Sequence, residues 1–157
     1  MSRYFPSKFS THDENKIIEQ SFAILSGRLR ETTISISSPT LVERYLLHKL
    51  ILEEREIFGA LWLDVKSRLI ECEEIALGTL TQAQVFPREI LKSALKHNAA
   101  KVIFFHNHPT GDVMPSPKDK LMTSEMKQLL KIIGVRLEDH IIVAGTQTRS
   151  FVRNGDM

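Results

Sequence analysis

The chain has 157 residues, of which 42% are hydrophobic and 25% charged, an ordinary globular composition and enough length for one domain with a sizeable core. Its 21 basic and 19 acidic side chains are interspersed and leave a net charge of +2, which argues against a nucleic-acid partner. The one cysteine, Cys72, excludes an internal disulfide and a thiolate-rich zinc cluster, so any metal site would use histidines and carboxylates.

The N-terminal residues contain no apolar stretch of the kind that a signal peptide requires. No window of the sequence approaches the roughly 20 apolar residues of a membrane span. These features predict a cytoplasmic protein that has no membrane partner. The first element along the chain is a helix predicted from Thr11 or Asp13 to about Arg30, which forms an N-terminal helical extension over residues 1–35.

A second helix is predicted after a polar connector at residues 32–40. Ser38 followed by Pro39 supplies an N-cap and a first-turn proline, and the helix is expected to run to about Leu52. The main domain is predicted to span residues 36–157.

A hairpin is predicted next, because from Glu56 two apolar, β-rich runs flank the turn-like residues 64–67. Pro87 then suits the first turn of a helix whose apolar residues recur at helical spacing. That helix leads into a short buried strand, KVIFF, at residues 101–105.

The C-terminal part of the chain continues the alternation of helices and strands. After a loop, apolar residues at helical spacing predict a helix that ends at Gly134, a residue suited to a left-handed C-cap. The stretches HIIVAG at residues 140–145 and TRSFV at residues 148–152 predict the last strands. This order of elements predicts a mixed β-sheet flanked by helices, an α/β fold of the α+β type.

The loop after KVIFF carries two histidines one residue apart, His106 and His108. Residues i and i+2 of a strand point to the same face, so both rings can converge on one ion. A tetrahedral catalytic zinc takes three protein ligands and one open position, and Asp119 is the third candidate ligand. Ser116 and Asp119 also fit a purely structural pattern, with the serine as N-cap and the acid at N3 of a helix. Both interpretations can hold, because capping would fix the orientation of the aspartate.

The string HNHP, the seven residues between His108 and Ser116, and the aspartate three residues later resemble the JAMM pattern of JAB/MPN metalloprotease domains. With FPREILKSALKHNAA before it and DHIIVAG after it, the sequence is similar to the RadC branch of that superfamily. The resemblance covers roughly Ser38 to the C-terminus and implies a JAB/MPN-like fold. RadC proteins of full length carry a helix-hairpin-helix segment ahead of this domain. Residues 1–35 are too short for it, so a short form is expected.

The resemblance also implies roles for individual residues. Zinc would be held by His106, His108 and Asp119, and the serine of the pattern falls on Ser116. The glutamate of the family lies upstream in a context like E-x-x-G-x-L, which EIFGAL matches with Glu56. Nearby glutamates are rivals that are more simply explained as solvated charges: Glu53, Glu54, Glu73 and Glu74.

These roles describe a zinc metallopeptidase that cleaves a peptide or isopeptide bond. Zinc would acidify a water molecule and polarise the substrate carbonyl. Glu56 would take the water proton and return it to the leaving amine, and Ser116 would donate to the developing oxyanion. Asn107 faces the other side of the strand, where a turn or a supporting hydrogen bond is expected. His140 is expected to support the sheet or the site and not to be a fourth ligand.

Two other functions compete with the peptidase. The first is a nuclease or DNA-repair protein, suggested by the letters HNH and by the history of the RadC group. In HNH nucleases those residues are dispersed over a hairpin and a helix, whereas here they are contiguous. The second is a non-catalytic MPN scaffold, which the presence of all three ligands disfavours. The sequence does not identify the peptide or protein substrate. It is also compatible with a homo-oligomer.

Overall fold

A computed structural model describes residues 11–30, 36, 38–78 and 85–157. The helices are α1 (Thr11–Arg30), α2 (Pro39–Leu50), α3 (Pro87–Lys96), α4 (Pro117–Ile132) and α5 (Phe151–Asn154). The strands are β1 (Ile57–Leu63), β2 (Leu69–Leu77), β3 (Lys101–Asn107), β4 (Arg136–Ala144) and β5 (Gln147–Ser150). Within the described ranges the strands form one sheet in the order β2-β1-β3-β4-β5, with helices packed against it. The predicted fold class is confirmed.

The sheet is mixed because β3 and β4 are parallel, whereas the other neighbouring strands are antiparallel. The parallel pair follows from its connection, since α4 carries the chain back across the sheet before β4 begins. The β1–β2 hairpin is closed by Asp64, whose carboxylate accepts hydrogen bonds from the backbone of Lys66 and Arg68. In the β1–β3 ladder Phe58 lies opposite His106, so the start of β1 lies beside the end of β3.

Each face of the sheet has its own apolar cluster, and β1 contributes to both because it is buried at every position. One cluster packs under α1 and α2 and includes Tyr45, Leu46, Leu61 and Phe105. The other packs under α3 and α4 and includes Trp62, Ile90, Phe104 and Met126. The cluster under α1 and α2 gives the fold a core away from the candidate metal site, whereas the cluster under α3 and α4 reaches the site through Phe58.

Gly59 in β1 is required by close packing. A Cβ atom at this position would overlap the ring of Phe105 on the neighbouring strand and the backbone carbonyl of Glu73. The glycine therefore lets the Phe105 ring cross β1, and this explains the glycine in EIFGAL on packing grounds alone.

The N-terminal helix α1 contacts α2 through a stacked pair of rings. The ring centroids of Phe22 and Tyr45 are 5.2 Å apart, and the ammonium group of Lys49 lies 5.8 Å from the Phe22 centroid. Residues 1–10 and most of the predicted connector, residues 31–35 and 37, lie outside the described residues. The proposed boundary between an extension at 1–35 and a domain at 36–157 stays a prediction.

The structure corrects the prediction of a strand over residues 148–152. β5 ends at Ser150, and Phe151 begins α5. The Ser150 hydroxyl accepts a hydrogen bond from the backbone N–H of Arg153, which caps the helix, and the Phe151 side chain is fully buried. Two boundaries also shift: α2 ends at Leu50, and β4 begins four residues before His140. None of the described helices combines the length and the apolar character that crossing a membrane requires.

Candidate metal centre

Three candidate ligands meet at one end of the sheet, His106 and His108 at the end of β3 and Asp119 in the first turn of α4. The Nε2 atoms of the two histidines are 2.9 Å apart. The His106 Nε2 atom lies 3.5 Å from Asp119 Oδ1, and the His108 Nε2 atom lies 3.4 Å from Asp119 Oδ2. Ligand atoms at about 2.0 Å from a tetrahedral ion would be about 3.3 Å from each other. The donor set and its spacing therefore fit a metal ion with three protein ligands.

His108 presents its Nε2 atom to this cluster because its other ring nitrogen is engaged. Nδ1 lies 2.7 Å from the backbone carbonyl of Asp112, which can only accept, so Nδ1 carries the proton. The backbone N–H of His108 donates to the carbonyl of Val143 on β4 and continues the strand path past the end of β3. The lone pair of Nε2 is therefore free to bind a metal.

His106 is buried and its Nδ1 atom lies 2.8 Å from Nε2 of His140. His140 is fully buried, and the centroid of its ring lies 4.6 Å from that of Phe151 and 5.8 Å from that of Phe58. Burial, and after it the nearby charge of His106, hold the pKa of His140 well below its usual range. The ring is thus a neutral group behind His106, and it is not a member of the three-ligand cluster.

Asp119 is oriented by the cap of α4. Its Oδ2 atom accepts hydrogen bonds of 2.7 Å from both the backbone N–H and the hydroxyl of Ser116, and the Ser116 Oγ atom accepts from the Asp119 N–H. This capping box leaves Oδ1 directed at His106. Burial acts to raise the pKa of the Asp119 carboxyl, but the neighbouring imidazole rings of His106 and His108, together with the hydrogen bond from Ser116, hold it far below its usual range. Ser116 and Asp119 therefore form the predicted helix cap, and Asp119 also has the geometry of a metal ligand.

Glu56 is half-buried just before β1 and lines the same cavity, of about 450 Å³, as the three candidate ligands and Ser116. The rival glutamates are engaged elsewhere or exposed. Glu73 accepts a hydrogen bond from the indole of Trp62 and also contacts Ser93 and His97, while Glu74 pairs with Lys49 at 2.6 Å. Two further glutamates are exposed and do not line this cavity: Glu53 and Glu54.

Asn107 fixes the backbone around Glu56 from the opposite face of β3. Its Oδ1 atom accepts a 2.7 Å hydrogen bond from the N–H of Ile57, and its Nδ2 group donates to the carbonyl of Arg55 at 2.8 Å. These two contacts hold the residues on either side of Glu56. The sequence predicted a supporting hydrogen bond for Asn107 but not its target, which only the register between β1 and β3 reveals.

The affinity of this site for a metal is expected to fall as the pH falls. The hydrogen bond with Asp119 raises the pKa of His108, burial opposes this, and the carbonyl of Asp112 raises it further. Because a metal binds the neutral ring, protons compete with the metal below this raised pKa. The affinity should decline by up to about tenfold per pH unit there and level off above it. Competition with a chelator at several pH values measures the change, and a flat profile would contradict the assignment of His108.

The sheet and the cluster together define a domain of the JAB class, a mixed α/β fold that carries a His-His-Asp group at one end of its sheet. A family model described as RadC-like JAB domain matches residues 36–156, and the chain belongs to this family.

Curated relatives agree with this assignment. The UPF0758 protein of Janthinobacterium sp. (strain Marseille) is 49% identical over 124 residues, 79% of this chain and 55% of that protein. The UPF0758 protein of Stenotrophomonas maltophilia (strain R551-3) is 44% identical over 138 residues, 88% of this chain and 59% of that protein. The chain therefore spans a little over half the length of these relatives. The predicted resemblance to the RadC group is confirmed.

Proposed function

We propose that this domain is a zinc-dependent peptidase or isopeptidase that uses Glu56 as its general base. The observation that carries the proposal is that Glu56 and the three-ligand cluster line one cavity. General bases act within hydrogen-bond reach of the proton that they remove, and the half-buried Glu56 in the lining of this cavity is the glutamate that supports such a role.

His106, His108 and Asp119 would hold the ion through two imidazole nitrogens and one carboxylate oxygen, a donor set that suits zinc. When bound, zinc supplies the acidification of a water molecule and the polarisation of a carbonyl group. Glu56 accepts the proton of that water at its carboxylate while a C–O bond forms to the carbonyl carbon. It then donates the proton to the amide nitrogen as the C–N bond breaks, so that the amine leaves neutral.

The lining of the cavity favours an amide over a phosphodiester. Among the described residues, the lining of the cavity includes three acidic residues, Glu56, Asp112 and Asp119, and one lysine, Lys118. A bound zinc ion would add two positive charges and bring the lining close to neutral, which offers no cationic track for a phosphate backbone and suits a neutral peptide bond. The same cavity has apolar side chains that can contact substrate side chains: Phe58, Val85, Met114 and Met122. This balance supports the peptidase over a nuclease or DNA-repair role, and the position of Glu56 in the lining of the same cavity supports it over a scaffold.

The experiment that tests the proposal is a search for amide cleavage in ¹⁸O-labelled water. The zinc-loaded protein would be incubated with a complex peptide mixture, and mass spectrometry would detect new C-termini that carry ¹⁸O. Asp119→Ala, treated identically, is the control. Labelled termini in the wild type and not in the variant support the proposal. Their absence from both, or cleavage of plasmid DNA by the wild type alone, would contradict it.

Ser116→Ala is expected to affect both stability and turnover. Loss of the N-cap should lower the free energy of unfolding by about 0.5–2 kcal/mol. The proposed oxyanion role requires the Ser116 hydroxyl to turn from Asp119 toward the substrate, and its loss should lower turnover by about 10²–10³-fold. Ser116→Thr keeps the hydroxyl and is the matched control. Denaturant unfolding and turnover measure the two effects, and a loss of stability alone would restrict Ser116 to capping.

A further inference from the structure

We infer that Thr123 and His140 are positioning residues that set the tautomer of His106 through a one-directional chain of hydrogen bonds. The chain runs from His106 Nδ1 to His140 Nε2 at 2.8 Å and from His140 Nδ1 to Thr123 Oγ1 at 2.7 Å. It ends at the backbone carbonyl of Asp119, 2.6 Å from Thr123 Oγ1. The consequence for metal binding rests on the proposed zinc site, whereas the tautomer itself does not.

The direction of the chain is fixed from its far end. A carbonyl oxygen only accepts, so the single proton of the Thr123 hydroxyl points to Asp119. The Thr123 oxygen must then accept from His140, so Nδ1 carries a proton, and a second proton on Nε2 would place a charged ring fully buried among aromatic rings. Nε2 of His140 is left as an acceptor, and His106 donates to it from Nδ1.

The result is that the lone pair of His106 lies on Nε2, the atom that faces His108 and Asp119. A metal binds the unprotonated nitrogen, and the proton on the opposite nitrogen determines which one is unprotonated. The chain also connects two candidate ligands that come from different elements, because it begins on the ring of His106 in β3 and ends on Asp119 in α4. Thr123 and His140 lie outside the cavity lining, so neither contacts a substrate there.

Packing prevents His140 from leaving this arrangement. The ring is fully buried among three aromatic rings, with centroid distances of 4.6 Å to Phe151, 5.8 Å to Phe58 and 6.0 Å to Phe104. Thr123 is also buried, on the face of α4 that contacts β4. A polar pair enclosed in this way needs hydrogen-bond partners for its nitrogens and hydroxyl, and the chain supplies one for each.

Thr123→Val isolates the role of the hydroxyl, because valine has nearly the same shape. Without the Thr123 hydroxyl, a proton on His140 Nδ1 would have no acceptor. The ring should instead carry its proton on Nε2 and donate to Nδ1 of His106. That shift places the proton of His106 on Nε2, where it opposes metal binding. Zinc affinity should fall about 10- to 100-fold, as is typical when an outer hydrogen-bond partner of a ligand is lost.

The test combines two measurements on Thr123→Val and on Thr123→Ser, which keeps the hydroxyl and is the matched control. Long-range ¹H–¹⁵N spectra of the metal-free protein report the histidine tautomers, and competition with a chromophoric chelator reports zinc affinity. Wild type and Thr123→Ser should show His106 protonated at Nδ1, and Thr123→Val should show it protonated at Nε2. Thr123→Ala removes the same hydroxyl and replaces Thr123→Val if that variant does not fold.

An unchanged tautomer in the hydroxyl-free variant overturns the inference, even if its zinc affinity falls, because the loss would then come from packing. If the wild type binds zinc, equal zinc affinity in the wild type and in all variants also overturns the inference. A wild type that binds no zinc would refute the proposed function. In that case the tautomers of the metal-free protein alone decide the inference, and a shift between Thr123→Ser and Thr123→Val supports it.

Discussion

Replacing Glu56 with glutamine is expected to lower the turnover of a peptide substrate by about 10²–10⁴-fold, the range typical of losing general acid–base catalysis. Glutamine preserves the size of the side chain but cannot accept a proton. Zinc content and thermal stability should stay at the wild-type level, because the three candidate ligands and both apolar clusters are untouched.

The matched control for this variant is Glu74→Gln. Glu74 lies in β2 opposite Gly59, but it is exposed and pairs with Lys49 away from the cavity. Loss of such a surface pair costs little, so turnover should not change. Metal analysis, circular dichroism and the ¹⁸O assay on the same samples separate the possible effects. Wild-type turnover in Glu56→Gln would refute the assignment of the base, and loss of its zinc would make Glu56 a ligand.

Asp119→Ala is expected to lower zinc affinity by more than about 100-fold. Loss of an outer hydrogen-bond partner alone costs about 10- to 100-fold, and this change removes a ligand atom and the negative charge that favours the cation. The protein should stay folded, because its apolar clusters do not depend on a bound metal. Its free energy of unfolding should fall only by the contribution of a helix cap. A folded Asp119→Ala variant would distinguish this protein from a structural zinc domain, which unfolds without metal.

Ser116→Ala controls for the cap in this experiment. It removes the same capping box as Asp119→Ala but keeps all three candidate ligands. Its zinc affinity should therefore fall by no more than about 10- to 100-fold, less than that of Asp119→Ala, whereas its stability should fall like that of Asp119→Ala. Zinc analysis of both proteins, alongside His106→Ala and His108→Ala, makes the comparison. Stoichiometric zinc in all three ligand variants would refute the metal site.

The parts of the structure that the sequence predicted are those with a local physical cause. The spacing of His106 and His108 places both rings on one face of a strand, and Ser116 with Asp119 forms a cap over three residues. The strand predicted over residues 148–152 failed for a local reason as well. A serine before two apolar residues suits both a strand and a helix start, and burial of Phe151 decides between them.

The contacts behind the candidate ligands have no local signal. Thr123 and His140 lie 17 residues apart, and His106 and His140 lie 34 apart, so only the folded sheet brings them together. The parallel register that places His140 opposite Phe104 is set by packing on both faces of the sheet and not by a sequence period. For the same reason the sequence could not separate Glu56 from its rivals.

Asn107 shows how the alternation of side chains along β3 positions two parts of the site relative to each other. Its neighbours on either side supply two of the three candidate metal ligands on one face, while its own amide, on the other face, binds the peptide groups that flank Glu56. The separation between the proton acceptor and the two histidines is thus tied to three consecutive residues. The peptide that carries the proton acceptor is also held from the other side, because the backbone carbonyl of Glu56 accepts a 2.8 Å hydrogen bond from the N–H of Gly78, just after β2. A change in Asn107 or in this end of β2 should therefore alter the working distance of the site.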